Sequence, residues 1–222
     1  MEILNRHTID NDWVSFYLFF LLLFITLIRN SFPYHFKNFM LLIGSDNYLK
    51  THLEDSIKKR LQILLNIFHV FAFSFIIYVF SNYFLNLNSN FKNFIIILGV
   101  YISFTIIKYI FETIGANLLK PKKEINFFNF QKQSYANYIS IIYLIICTFI
   151  VYTSVNNPLV IKFLYNSLLC CVILIILLSL NNFRNQIFRK PYYFILYLCA
   201  FEIWPYIIGY QILKNTLQII NN

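Results

Sequence analysis

Residues 61–80 read LQILLNIFHVFAFSFIIYVF, twenty consecutive positions without an Asp, Glu, Lys or Arg. An α-helix rises about 1.5 Å per residue, so this stretch reaches about 30 Å, which is the thickness of the hydrocarbon core of a bilayer. Strands of an outer-membrane barrel would instead alternate apolar and polar side chains. The stretch therefore predicts a transmembrane helix, and it sets the fold class of the chain.

Five further apolar stretches of similar length accompany it: 13–28, 94–114, 138–155, 159–180 and 191–213. Hydrophobic residues make up 59% of the 222-residue chain and charged residues only 12%. This balance excludes a disordered chain and an ordinary soluble enzyme. The sequence predicts an all-α, polytopic membrane helix bundle with six transmembrane helices, folded as a single membrane domain over residues 1–222.

Lysine and arginine residues concentrate in alternate connections of this bundle. Thirteen of the 18 lie in the loops 29–60, 115–137 and 181–190, and Lys108 lies in the inner end of the predicted span 94–114. Because positively charged loops stay in the cytoplasm, the pattern places these three loops inside and both termini in the periplasm.

The net charge of +9 does not indicate a nucleic-acid partner. Basic clusters such as KKR at 58–60 and KPKKE at 120–124 are short and close to membrane ends, where they attract anionic lipid. We expect membrane lipids and other membrane proteins as partners, and no nucleic acid. Residues 31–60 contain a charged stretch that can form surface helices, and residues 115–134 contain FFNF flanked by charge, as in a segment that lies in the membrane interface. Both segments are either connectors packed on the membrane surface or docking surfaces for a partner protein.

Sequence motifs of catalysis, cofactor binding and metal binding do not occur in the chain. The four cysteines all fall in predicted membrane helices, and none forms a CxxC pair: they are Cys147, Cys170, Cys171 and Cys199. With only 4 glycines the chain has no phosphate-binding loop and no GxGxxG, and HExxH is also missing. The sequence therefore predicts no catalytic residue, no cofactor, no metal site and no enzymatic activity.

A carboxyl group near the middle of the membrane is the sharpest chemical feature, because a charge in hydrocarbon is costly and usually functional. Glu202 lies 11 residues after Pro191, about 16 Å into the last predicted span. Pro205 has no N–H, so the carbonyl of Phe201 loses its helical partner and we expect a kink there. Tyr206 shares a helix face with Glu202.

Polar side chains on the segment 61–80 lie at a similar depth. Asn66 and His69 share one face of this predicted helix, and His69 is about 12 Å from its cytoplasmic end. We therefore expect His69 and Glu202 to approach each other, directly or through water. The pair is either a polar clamp between packed helices or part of a proton or ion relay.

These features support two functional hypotheses. The leading one is a non-enzymatic scaffold or accessory subunit of a membrane complex, because the helix faces are rich in aromatic side chains and no complete reaction site accompanies them. The alternative is a small transporter or proton-coupled channel that uses the Glu202 and His69 pair at the membrane midplane.

The closing span at 191–213 reads PYYFILYLCAFEIWPYIIGYQIL. Its residues Tyr197-Leu198-Cys199, Glu202 and Pro205 follow a Tyr-Leu-Cys, Glu, Pro order that resembles the ending of an integral-membrane family of the Bacteroidota, domain of unknown function 4271. The Asp12-Trp13 opening resembles that family as well. The resemblance implies a multi-pass protein of the bacterial inner (cytoplasmic) membrane, with an accessory role in envelope machinery such as gliding or type 9 secretion.

Overall fold

The computed structural model describes residues 12–42, 56–85, 91–118, 122–153, 158–182, 207–209 and 211. Throughout these residues the regular structure is helical, and no strand occurs among them. The helices are α1 (Asp12–Ser31), α2 (Pro33–Met40), α3 (Ser56–Leu85), α4 (Phe91–Leu118), α5 (Lys122–Thr153) and α6 (Pro158–Asn182). Residues 207–209 and 211 are also helical and fall within the last predicted span.

Five of these helices are long and apolar enough to cross a bilayer. The candidate spans are Asp12–Ser31, Lys59–Tyr83, Phe91–Asn117, Ile125–Thr153 and Leu159–Ser179. The described part of the chain is thus all-helical, as the sequence predicts, and its five long apolar helices suit a multi-pass membrane protein. The predicted sixth span, 191–213, lies outside the described residues except at 207–209 and 211, so the count of six stays a prediction, as does the periplasmic placement of both termini.

Helix α3 lies at the centre of the bundle and packs against α1, α2, α4 and α5. Half of its span is buried, whereas less than a third of any other described span is. Leu65, Phe68, Ala72 and Phe75 are fully buried and repeat at intervals of three and four residues, which places them along one stripe of the helix. Close van der Waals packing along such a stripe holds membrane helices together.

Aromatic side chains fix α1 against the centre of the bundle. The ring of Trp13 lies 5.4 Å from that of Tyr78 on α3 and 5.3 Å from that of Phe94 on α4, centroid to centroid. One turn further along α1, the Tyr17 hydroxyl donates a hydrogen bond to the Phe71 carbonyl at 2.9 Å. Helix α1 is therefore held by ring packing and by one hydrogen bond to the α3 backbone.

The first part of the predicted loop 29–60 is a helix packed into the bundle. Pro33 opens α2, where a missing N–H costs nothing, and it disfavours helical geometry at the residue before it. Phe36 and Phe39 are buried, and the Phe39 ring lies 6.1 Å from that of Tyr138 on α5. Positions 43–55 lie outside the described residues, so the choice between connector and docking surface stays open for them.

Helix α5 differs most from the sequence prediction, because it begins at Lys122 and not at 138. Most of the predicted cytoplasmic loop 115–137 is therefore helical. The prediction failed because polar residues in this stretch indicate exposure to water, whereas Gln131, Lys132 and Asn137 are buried against other helices. With 32 residues, α5 is about 48 Å long and exceeds the hydrocarbon thickness.

A pair of phenylalanine substitutions tests the central position of α3. Phe68→Ala removes a fully buried ring, whereas Phe163→Ala removes a ring that is 71% exposed on α6. Replacing a packed phenylalanine by alanine costs about 3–5 kcal/mol. We expect Phe68→Ala to lower the unfolding temperature in mild detergent and Phe163→Ala to leave it nearly unchanged, as measured by size-exclusion chromatography after heating. Equal decreases in the unfolding temperature of the two variants would contradict the described packing.

Candidate functional site

Polar side chains meet where α3 packs against α5. Asn66 Oδ1 accepts hydrogen bonds from Asn137 Nδ2 at 2.8 Å and from Gln62 Nε2 at 3.2 Å. The Ser134 hydroxyl, which donates to the Phe130 carbonyl at 2.9 Å, also lies 3.4 Å from Gln62 Oε1. We call these four residues, Gln62, Asn66, Ser134 and Asn137, the polar seam.

Helical spacing brings the polar seam together. Gln62 and Asn66 are four residues apart on α3, and Ser134 and Asn137 are three apart on α5, so each pair occupies one helix face. Ser134 and Asn137 are fully buried, and Gln62 is 8% exposed. Lipid offers no hydrogen-bond partner, so polar side chains within a span bond to one another, at about 1 kcal/mol per bond. The polar seam therefore fixes the register of α3 against α5.

A second polar contact joins α3 to α4. His69 is 8% exposed, and its Nε2 lies 3.2 Å from the Tyr101 hydroxyl. Phe73, one turn further along α3, lies 5.2 Å from the imidazole ring and 5.5 Å from the Tyr101 ring, centroid to centroid. The hydroxyl donates to Nε2 when that nitrogen carries no proton. His69 is thus hydrogen-bonded and flanked by two aromatic rings.

An ion pair joins α4 to α5. Lys132 Nζ lies 2.6 Å from Glu112 Oε1, and Lys108 Nζ lies 3.7 Å from the same oxygen. None of the three side chains is more than 13% exposed. Removing one partner of a buried ion pair is strongly destabilising, at about 3–5 kcal/mol. The single carboxylate of Glu112 therefore tethers α4 to α5 and also lies close to a second ammonium group.

Residues from each of these three contacts line a cavity of about 610 Å³ between α3, α4, α5 and α6. Its polar lining includes Asn66, His69, Tyr101, Lys108, Glu112 and Lys132. Most of the remaining lining is apolar, with side chains such as Ile67, Phe104 and Ile139. The volume is in the range of ligand pockets, about 300–1,000 Å³. The described residues thus build a largely apolar cavity with hydrogen-bonding groups on its wall and an ion pair at one end.

The described side chains do not form a metal centre. No three His, Cys, Asp or Glu residues gather into a group that could hold a metal ion in the part of the chain that the structure describes. Cys147, Cys170 and Cys171 are free thiols, and Cys199 lies outside the described residues. The prediction that the chain has no cofactor and no catalytic residue stays a prediction.

The sequence-predicted site is described only on its α3 side. Asn66 and His69 both line the cavity. Glu202, Pro205 and Tyr206 lie outside the described residues. The expected approach of His69 to Glu202 therefore stays a prediction, and the described partner of His69 Nε2 is the Tyr101 hydroxyl on α4.

Sequence reasoning missed the α5 side of the site. Lys132, Ser134 and Asn137 lie in the segment 115–137, which was predicted to be a loop. A signal was present, because Ser134, Asn137 and Ser140 are spaced three apart, as on one side of a helix, and all three are buried. A polar stripe at helical spacing next to an apolar run indicates a helix that faces a polar partner.

The described end of the last predicted span lies close to α4. A Cβ atom added at Gly209 would stand 2.6 Å from Cε2 of Phe104, so the absence of a side chain permits this approach. Gly209 also lines the cavity. The cavity is therefore bordered by the last predicted span as well as by α3, α4, α5 and α6, which contributes Val172 and Ile175.

Substitution of Asn66 tests whether the polar seam stabilises the bundle. Asn66→Leu removes the acceptor of both Asn137 and Gln62, and a buried donor left unpaired costs about 1–3 kcal/mol. We expect a lower unfolding temperature in mild detergent. Asn166→Leu, at an exposed position of α6, is the matched control and is expected to be nearly neutral.

The double variant Asn66→Leu with Asn137→Leu separates the hydrogen bond from general packing. Replacing both partners by apolar groups leaves no unpaired donor between them. The double variant should therefore lose less free energy of unfolding than the two single variants lose in sum. Strictly additive decreases in the free energy of unfolding would contradict a direct hydrogen bond between the two amides.

Comparison with known proteins identifies a family. The family described as a domain of unknown function, DUF4271, matches residues 14–213, which is most of the chain. The comparison with curated proteins and the comparison with solved structures each found no match. The matched range runs from α1 to the end of the last predicted span, so the chain belongs to the DUF4271 family.

Proposed function

We propose that the protein is a non-enzymatic scaffold or accessory subunit of a bacterial cell-envelope complex, embedded in the inner membrane by six helices. The polar seam is the observation that carries this proposal. Its polar side chains bond to one another across α3 and α5. Internal pairing of this kind stabilises one fixed arrangement of helices, which is what a scaffold requires.

The outward faces of the helices provide the surface through which such a subunit would bind its neighbours. Large aromatic side chains on these faces are at least 66% exposed: Phe16, Tyr109, Phe149 and Phe163. In a membrane these rings contact either acyl chains or the helices of another protein. We propose that part of this surface contacts a partner membrane protein.

The direction of the helices supports an orientation with both termini in the periplasm. Gln62 and Asn66 pair with Ser134 and Asn137 in the same order, so α3 and α5 run parallel and begin on the same side. Basic clusters precede the apolar part of each helix, at 58–60 and 120–123. Parallel helices with basic starts agree with cytoplasmic loops at those ends.

The family is described as a domain of unknown function, so membership assigns no activity to this chain. The Tyr-Leu-Cys, Glu, Pro order in the last span supports placing the protein in the inner membrane of a member of the Bacteroidota. We propose envelope machinery such as gliding or type 9 secretion as the setting of the complex, by analogy with the resemblance alone.

The cavity favours a second candidate, a small transporter or proton-coupled channel. It places His69 on the wall of a space of about 610 Å³ inside the bundle. In this candidate, His69 and Glu202 form the pair that carries a proton or an ion. Transporters often place such groups near the membrane midplane.

Purification from the native host tests the scaffold proposal. We expect the tagged protein, extracted in a gentle detergent, to elute with one or more membrane proteins at a fixed stoichiometry, identified by mass spectrometry. Phe163→Ala and Phe16→Ala change exposed rings without disturbing the core, so loss of the partner in only one of them would map the contact surface. Recovery of the protein only as a monodisperse single species would contradict the proposal.

Reconstitution in liposomes separates the two candidates. In the scaffold proposal, His69→Ala and Glu202→Gln act only on folding, so their effects appear in the unfolding temperature and the liposomes show no proton flux with any variant. Tyr101→Phe is the matched control, because it removes the hydrogen bond to His69 and keeps the imidazole. Proton flux in the wild type that is lost in well-folded Glu202→Gln would overturn the scaffold proposal in favour of the transporter.

A further inference from the structure

The cavity between α3, α4, α5 and α6 changes from mainly apolar to ionic along its length. Tyr101 and Phe104 lie on the earlier part of α4, where the lining is mainly aromatic and aliphatic. Lys108 and Glu112 follow one and two turns later, and Lys132 faces them from α5. The cavity is thus apolar over most of its wall and ionic at the end towards the carboxyl terminus of α4.

The ionic end lies close to one membrane surface. Glu112 is five residues before Asn117, where the α4 span ends, and Lys132 is seven residues after Ile125, where the α5 span begins. These distances are about 8 and 10 Å along the helices. The two spans contain 27 and 29 residues, so they are roughly 10 Å longer than the hydrocarbon is thick. The ion pair therefore lies near the boundary between acyl chains and head groups.

An occupant that matches this cavity is apolar along most of its length and anionic at one end. The described residues at the ionic end supply two ammonium groups and one carboxylate. A phosphate accepts strong charge-assisted hydrogen bonds from ammonium groups. Lys108 and Lys132 already contact Glu112 and have further contacts, so a phosphate would join an existing ionic network.

We propose that the cavity binds one acyl chain of an anionic phospholipid, whose phosphate contacts Lys108 and Lys132. The lipid belongs to the leaflet at which α4 ends, which the proposed orientation makes the cytoplasmic one. The acyl chain lies along the apolar wall formed in part by Ala136 and Ile139. This site does not depend on a partner protein, so the lipid proposal can fail while the scaffold proposal holds, and the reverse.

Native mass spectrometry of the delipidated protein, with equal amounts of phosphatidylglycerol and phosphatidylcholine, tests the site. We expect one phosphatidylglycerol to remain bound and phosphatidylcholine to be retained less. Lys108→Gln should weaken phosphatidylglycerol binding about fivefold, the loss expected for one lysine at an anionic lipid surface. Lys162→Gln is the matched control, because Lys162 is exposed on α6 and should not change binding.

A second variant keeps the test valid if loss of Lys108 disturbs folding. Ala136→Phe fills part of the cavity and keeps Lys108, Glu112 and Lys132, and its unfolding temperature reports whether the fold is kept. We expect a folded Ala136→Phe protein that no longer retains the lipid. Equal retention of both lipids, or wild-type binding by Ala136→Phe, would overturn the proposal. Displacement of phosphatidylglycerol by millimolar inorganic phosphate would also overturn it, because the site would then recognise a free anion.

Discussion

Hydrocarbon offers no hydrogen-bond partner, and this constraint determines how the bundle is built. The amides of Gln62 and Asn66 lie in the most buried helix of the described residues and must be paired within the protein. Helix α5 supplies the matching Ser134 and Asn137. Because the contacts form in the same order along both helices, the polar seam sets both the relative direction and the register of α3 and α5. The positions of α2 and α4 follow, since both pack against this helix pair.

The long apolar helices could be predicted from sequence because their signal is local. A run such as 61–80 needs only its own length and composition to indicate a span. The start of α5 could not be predicted in this way. Gln131 and Lys132 lower the local hydropathy, and only the three-dimensional fold shows that they are buried.

The candidate site shows the same division between local and non-local signals. Asn66 and His69 could be identified because a polar side chain is conspicuous in an apolar run. Tyr101 could not be identified, because it is one of 17 tyrosines and its importance depends on its distance from His69.

The bundle combines a core joined by directional polar contacts with an adjacent cavity. Fixed helices and a space for an amphiphile together suit the proposed scaffold role, in which the proposed lipid and a partner protein would occupy separate surfaces.

Disulfide cross-linking in native membranes tests the central claim most directly, namely that α3 and α5 are joined through the polar seam. The pair Asn66→Cys with Asn137→Cys, in a chain whose native cysteines are replaced by alanine, should form a disulfide under mild oxidation, because the two positions face each other across α3 and α5, where the native amides are hydrogen-bonded from Nδ2 to Oδ1. The control pair Asn66→Cys with Ile142→Cys should stay reduced, since Ile142 is exposed on α5. A disulfide in the control pair but not in the 66–137 pair would contradict the account.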